Sequence, residues 1–313
     1  MTRILAIVGP TASGKSALAL ELAQRLSGEI ISCDSMQIYR RMDIGTAKPT
    51  KEEQSRIRHH LIDVAEPDEG FSAADYVALA SAAAEDCQER GRLPVICGGT
   101  GLYLDALLRG GDLAPNTVDP VVRAELAEYA EKNGAEGLWN MLAEIDPESA
   151  AATHPNNVKR VARAIEIYRV SGETKTELDR QSRLAGDRYD ACVIGLRYTD
   201  REELYERINR RVDMMLAEGL VEETERLMAE GVFQKNATAA QAIGYKEIIP
   251  YLLGRVSLGE AAEELKTATR RYAKRQMTWF SAKPYVNWID IDGDGKKTFE
   301  EIVNNAEKLF KNH

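Results

Sequence analysis

Apolar residues recur along this chain at two alternating periods, and the alternation predicts a string of strands and helices. Ile4-Leu5-Ala6-Ile7-Val8 is a short unbroken apolar run, the mark of a strand buried on both faces. Leu18, Ala19, Leu22, Ala23 and Leu26 then fall at helical spacing, and Gly28 ends the run. Ile30-Ile31-Ser32-Cys33 predicts a second strand that stops at Asp34. A helix follows over 72–90, with Ser72 and Asp75 spaced as a capping box. Val95-Ile96-Cys97 predicts a further strand, closed by Gly98-Gly99-Thr100-Gly101. Leu102, Leu104, Leu107 and Leu108 continue as a helix.

Near residues 110–120 the texture breaks at Gly110, Gly111, Pro115 and Pro120. From 120 to 180 the pattern is almost wholly helical. Cys192-Val193-Ile194-Gly195-Leu196 returns to a strand, and helical patterns resume over 201–230 and 258–280. The expected fold is α/β, a P-loop NTPase-like doubly wound parallel sheet with a helical insertion domain. The core is expected at 1–116 and 190–313, and the insert at 117–189.

The turn after the first strand carries the chemistry. Gly9-Pro10-Thr11-Ala12-Ser13-Gly14-Lys15-Ser16 fits G-x-x-x-x-G-K-[ST] at every fixed position, between a strand and a helix as the motif requires. Its N–H groups and the helix N-terminus form an anion cradle, Lys15 adds a point charge, and Ser16 suits Mg²⁺. The pattern says that a phosphate chain binds, without saying which. An ordinary P-loop nucleotidase ends another apolar strand in a metal-organising Asp, but the strand at 95–97 ends in Gly-Gly-Thr-Gly. The acid stands instead at Asp34, at the rim of the sheet. There it serves as a metal-shell acid, a general base, or a turn cap, and spacing leaves these open.

Composition narrows the setting. In 313 residues no apolar stretch approaches the roughly 18–20 needed to span a membrane. The chain enters a strand at once, with no signal-peptide pattern, and its four cysteines show no C-x-x-C spacing. A reduced, cytoplasmic protein is expected. The net charge of −9 disfavours nucleic acid on average, yet basic residues cluster. Lys266, Arg270, Arg271, Lys274 and Arg275 share a helix face; Lys159, Arg160 and Arg163 form a second group, and Arg207, Arg210 and Arg211 a third. One such stripe usually means a solvated face. Three in an acidic chain point to phosphate contacts.

Further motifs carry a family resemblance. Asp34-Ser35-Met36-Gln37-Ile38-Tyr39, Met42-Asp43-Ile44-Gly45-Thr46-Ala47-Lys48-Pro49 and His59-His60-Leu61-Ile62-Asp63 follow the P-loop. Gly98-Gly99-Thr100-Gly101-Leu102-Tyr103, His154-Pro155-Asn156-Asn157, Gln241-Ala242-Ile243-Gly244-Tyr245 and Ala273-Lys274-Arg275-Gln276-Met277-Thr278-Trp279 come after. Together and in this order, over about residues 4–288, they resemble the tRNA dimethylallyltransferase (tRNA isopentenyltransferase) family. The resemblance implies transfer of a dimethylallyl group from dimethylallyl diphosphate to N6 of the adenine 3′ of the anticodon, with pyrophosphate leaving. It implies that the loop Gly9–Ser16 holds the diphosphate, with Mg²⁺ at Ser16, and that Asp34 is the catalytic acid–base group. Lys15, Ser16 and Arg211 would neutralise the leaving group. Arg211 is the family's diphosphate arginine in Arg207-Ile208-Asn209-Arg210-Arg211, though Arg210 stands beside it. The tRNA anticodon loop would meet Asp34, Ser35, Met36, Gln37, Thr100 and Arg123. Lys159, Arg160, Val161, Ala162 and Arg163, and Gln241, Ala242, Ile243, Gly244, Tyr245 and Lys246, would add further contacts. A monomer is expected.

The competing enzymes are an adenylate isopentenyltransferase and a small-molecule P-loop kinase; the competing non-enzyme is a nucleotide-gated RNA-binding protein. His59 and His60 are adjacent, cannot both face one metal, and read as structural at the sheet edge. Trp139, Trp279 and Trp288 read as core or interface residues. Asp290, Asp292, Asp294, Gly295 and Glu301 match an EF-hand loop, but Lys283–Ile289 before them reads as a strand where an entering helix should stand.

Overall fold

The first apolar run becomes β1 (Thr2–Val8), an interior strand of the sheet. β4 (Leu93–Gly98) lies on one side and β5 (Tyr189–Tyr198) on the other. With β2 (Gly28–Cys33), β3 (His59–His60) and β6 (Val286–Ile291) they form one sheet in the order β3-β2-β4-β1-β5-β6. Every pairing is parallel. In this computed structural model the described residues are 1–109, 119–184, 186–236, 238–291 and 298–313.

Helices cover the strands by burying their apolar stripes. Leu18, Ala19 and Leu22 of the helix Lys15–Arg25 share a core with Leu5, Ile7 and Ile194 of the sheet. Ile302, Val303 and Phe310 of the helix Phe299–Asn312 close the same core. The helix Ala73–Glu89 opens with the expected capping box: the Asp75 N–H donates to Ser72 Oγ at 3.2 Å, and the Ser72 N–H to Asp75 Oδ2 at 2.8 Å. β3 is the sheet edge, where the two histidines had been expected. Among the described residues no helix is long and apolar enough to cross a membrane.

Contacts divide the chain into two compact units, Met1–Leu107 with Tyr189–His313, and Leu108–Arg188. The second unit is helical, with Pro120–Ile145, Pro147–Ala151, Val158–Ser171 and Lys175–Leu184. Its core is Leu126, Leu138, Leu142, Val161, Ala164 and Ile165. It opens before the boundary at 117 that glycine and proline suggested. Arg109 bridges to Asp187, and the Arg188 N–H donates to the Leu108 carbonyl at 2.9 Å, so backbone pairing ties the two ends of the insert. Gly110, Gly111 and Pro115 lie outside the described residues. Pro120 starts a helix whose N-cap, Asp119, accepts from the Val121 N–H at 2.8 Å.

The EF-hand-like run is entered by a strand, β6, as its apolar spacing predicts. Asp292, Asp294 and Gly295 lie outside the described residues. Its two described acids are engaged elsewhere. Asp290 pairs with Arg197, and Glu301 Oε2 accepts from the Thr298 N–H at 2.6 Å in a capping box.

Candidate active site at the P-loop rim

The P-loop follows the central strand β1. Gly9 has φ +146°, and a Cβ there would stand 2.8 Å from the Leu196 carbonyl oxygen, so only glycine lets the chain turn beneath β5. Gly14 is left-handed and opens the helix Lys15–Arg25, whose N-terminus faces the loop. Three side chains hold the loop. The Thr11 N–H donates to Gln276 Oε1 at 2.8 Å, Arg207 Nε donates to the Ala12 carbonyl at 3.0 Å, and Lys15 Nζ donates to the Pro10 carbonyl at 3.2 Å.

Asp34 follows β2, whose last residue, Cys33, is level with Gly98 at the end of β4. Asp34 Oδ1 accepts from the Met36 N–H at 2.9 Å, a turn that fixes the carboxylate. Thr100 ties the two strand ends. Its N–H donates to the Cys33 carbonyl at 3.1 Å, and its Oγ1 accepts from the Ser35 N–H at 3.0 Å. Gln37 braces the next loop, donating to the Thr46 and Ala47 carbonyls at 3.3 and 3.2 Å. One cleft is lined by Lys15, Ser16, Asp34, Gln37, Arg211 and Tyr272.

Two cations sit in this cleft with little water. Burial pushes the Lys15 ammonium below its ordinary value, and Cys97 and Asp34 pull it back. Burial likewise bears down on the Arg211 guanidinium, and Asp34 opposes it. One carboxylate thus faces two desolvated positive charges, and an anionic ligand would restore the balance. The helix Arg201–Ala217 separates the adjacent arginines. Arg207 and Arg211, one turn apart, face the loop and the cleft, whereas Arg210 is exposed.

The remaining predicted contact residues divide by burial. Ala242 and Tyr245 are core residues, 3% and 0% exposed, so their side chains pack inside the protein. Gln241 and Lys246 face outward. Tyr245 donates to Glu223 Oε1 at 2.7 Å, and the same buried carboxylate accepts from the Asp43, Ile44 and Gly45 N–H groups at 3.1, 3.0 and 3.0 Å. A Cβ on Gly45 would stand 2.5 Å from the Tyr245 ring. Two motifs about 200 residues apart are thus one construction. In the second unit, Val161 is fully buried and Ala162 packs against the same core, so neither presents a polar contact. Lys159 and Arg160 are exposed. Arg123 and Arg163 both bind the buried Glu166, each at 2.7 Å. Burial pushes the Glu166 carboxyl up, but these two arginines and the Asp119 N–H hold it below its usual range.

The stripe on the helix Leu258–Ser281 also splits. Lys266 pairs with Asp213 at 2.9 Å and Arg270 donates to Asn209 at 2.6 Å, both tying it to the neighbouring helix. Arg271, Lys274 and Arg275 remain exposed. Pattern reading missed Gln276, Glu223 and Tyr272. A signal was there: Gln276 occupies the buried phase marked by Leu265, Ala268, Ala273 and Phe280, and Glu223 the phase of Leu220 and Leu227. A polar residue in an apolar stripe must have a partner.

Among the described residues one cluster offers metal-ligand atoms close together, Glu29, His60 and Cys87. Its nitrogen and sulfur donors do not suit Mg²⁺. Arg90 already binds both Glu29 oxygens, and His60 Nε2 lies 2.8 Å from Oε2. The Arg90 guanidinium, helped by His60, holds the Glu29 carboxyl at about 2 against the upward push of burial. A folded-state value below the unfolded one stabilises the fold above the ordinary carboxylate range, and that stability is lost as pH falls from about 5 towards 2. Glu29→Gln should cost about 2 kcal/mol near neutrality, part of the pair being screened at Arg90. In urea melts the gap from wild type should narrow as pH falls from about 5 and close only near pH 2; a gap constant with pH would mean that packing, not charge, is what Glu29 supplies.

The family model described as IPP transferase matches residues 37–283. A tRNA dimethylallyltransferase of Caldanaerobacter subterraneus subsp. tengcongensis is 47% identical over 304 residues, 97% of this chain and 96% of its own length. One from Halalkalibacterium halodurans is 48% identical over 303 residues, 96% of each. The solved full-length tRNA isopentenylpyrophosphate transferase of Bacillus halodurans matches with a TM-score of 0.72 at 44% identity, covering 100% of this chain and 98% of that one. A eukaryotic dimethylallyltransferase, solved acting on tRNA, matches with a TM-score of 0.85 at 28% identity, covering 100% and 80%.

Proposed function

The chain belongs to the IPP transferase family, and from that premise we propose that it moves a dimethylallyl group from dimethylallyl diphosphate to N6 of the adenine 3′ of the anticodon in tRNA. The observation that carries the reading is the cleft itself, where a complete P-loop and two half-buried cations face a single carboxylate. The C1–O bond to the diphosphate breaks, the N6–C1 bond forms, and Asp34 takes the N6 proton. An exocyclic adenine amine has its lone pair delocalised into the ring, so a base within hydrogen-bond reach matters most as the new bond forms. Lys15, Arg211 and the loop N–H groups bind the pyrophosphate as its charge grows. The missing acid after β4 fits this chemistry, because no γ-phosphoryl transfer has to be organised.

The cleft's oxygen donors, the Ser16 hydroxyl and the Asp34 carboxylate, fit a hard divalent cation, with Ser16 the residue to hold Mg²⁺. Such an ion would supply charge neutralisation on the diphosphate. The acceptor base has to leave its stack to reach Asp34, and Asp34–Gln37 with Thr100 are the residues proposed to receive it. Arg123, Lys159 and Arg160 are the proposed contacts of the second unit, and Gln241 and Lys246 those of the first. The test is mass analysis of anticodon-loop nucleosides after incubation with tRNA and dimethylallyl diphosphate. A mass gain on free adenosine nucleotides but not on tRNA would favour an adenylate prenyltransferase.

The salt dependence of tRNA binding checks the basic cluster. Lys159→Ala/Arg160→Ala should flatten the slope of log affinity against log salt by roughly 1.4–1.8, with diphosphate affinity unchanged. Arg163 is left out because its loss strands part of a buried carboxylate. An unaltered slope would make these two residues a solvated helix face.

A further inference from the structure

Gln276 is the side chain that joins the two halves of this site. It projects from the helix Leu258–Ser281, is 5% exposed, and makes one hydrogen bond to each half. Its Oε1 accepts from the Thr11 N–H of the phosphate loop at 2.8 Å, and its Nε2 donates to the Gly99 carbonyl at 3.0 Å. Gly99 runs directly into Thr100, which holds Ser35 and the Cys33 carbonyl on either side of Asp34. Beside the backbone pairing of β1, β4 and β2, a side-chain route from the phosphate cradle to the acid therefore passes through this amide. Gly99 records how close the fit is: a Cβ there would stand 2.0 Å from Gln276 Nε2, and the nearest atom of any other residue is the Gly9 carbonyl oxygen at 3.6 Å.

We propose that Gln276 is a positioning residue for prenyl transfer, fixing the separation of the diphosphate cradle from the Asp34–Thr100 pair. The proposal rests on the functional reading above. A carboxamide carries both an acceptor and a donor, which is what this gap demands. A carboxylate would satisfy Thr11 and repel the Gly99 carbonyl, and an apolar isostere would satisfy neither. Transfer needs the donor carbon and N6 at near-attack distance, so a shift of one half against the other slows the transfer step while each half still binds its own ligand.

The experiment compares wild type, Gln276→Met, Gly99→Ala and the double variant. Single-turnover transfer is measured with saturating tRNA and dimethylallyl diphosphate, and inorganic pyrophosphate binding and thermal melting are measured alongside. Gln276→Met and Gly99→Ala should each slow transfer roughly 10- to 100-fold. Pyrophosphate affinity should stay within about threefold, because the cradle's own N–H groups and cations remain. The double variant should be no slower than the worse single one, since both act on one contact. Unimpaired transfer by Gln276→Met, a rate loss matched by lost pyrophosphate affinity or lost folding, or additive effects in the double variant, would each overturn the proposal. Absence of transfer by wild type would overturn the functional reading itself, so the two failures are distinct.

Discussion

Asp34→Asn should slow the prenyl-transfer step by roughly 10²–10⁴-fold and leave tRNA affinity nearly intact. Asparagine keeps the shape of aspartate, and its Oδ1 can still accept the Met36 N–H that fixes the turn at 2.9 Å. The proton acceptor disappears while the turn is kept, so the main loss falls on the chemical step. The substitution also removes the carboxylate that opposes the desolvation of Lys15 and Arg211. The diphosphate, itself an anion, should therefore bind no more weakly and even somewhat more tightly. Single-turnover rates at saturating substrates, beside tRNA and pyrophosphate affinities, check both halves of this expectation. A near wild-type rate would remove Asp34 from the role of base.

Lys15→Ala and Arg211→Ala should each lower the use of dimethylallyl diphosphate by roughly 10²–10³-fold. Each deletes a cation held where water is scarce, and charge neutralisation is worth more there than at the surface. Arg210→Ala is the matching control, because that neighbour is exposed and off the cleft; it should change little. The dependence on Mg²⁺ should persist in all three variants, and ATP should act only as a weak competitor. Release of inorganic phosphate from ATP at the rate of tRNA turnover would falsify leaving-group stabilisation and revive a phosphoryl-transfer enzyme.

Much of this site is local in sequence and could be read there. Gly9–Ser16 is one continuous loop between a buried strand and a helix, so its conformation follows from glycine freedom and its position from β1. Asp34 follows the next strand, and in a parallel sheet the rim where strands end is the rim where ligands bind. Other features depend on distance in space. Val161 and Tyr245 sit inside motifs that resemble RNA contacts, yet both are buried, because short motifs name residues without saying which side chain faces the core. Arg163 lies in a basic cluster, and only the fold shows Glu166 beneath it and Arg123 beside it.

By itself, then, the sequence determined the strand–loop–helix at the N-terminus, the alternation that makes a parallel α/β sheet, the helical insert, and the acid at the end of β2. These follow from periodicity and backbone stereochemistry, which act over a few residues. Tertiary structure alone decided the rest. It set Arg211 in the cleft and left Arg210 off it, joined Glu223 to the amides of Asp43, Ile44 and Gly45, and set Gln276 between Thr11 and Gly99. Each of those choices satisfies a buried polar or charged group, and the partner of such a group can lie anywhere in the chain, here 178 and 265 positions away.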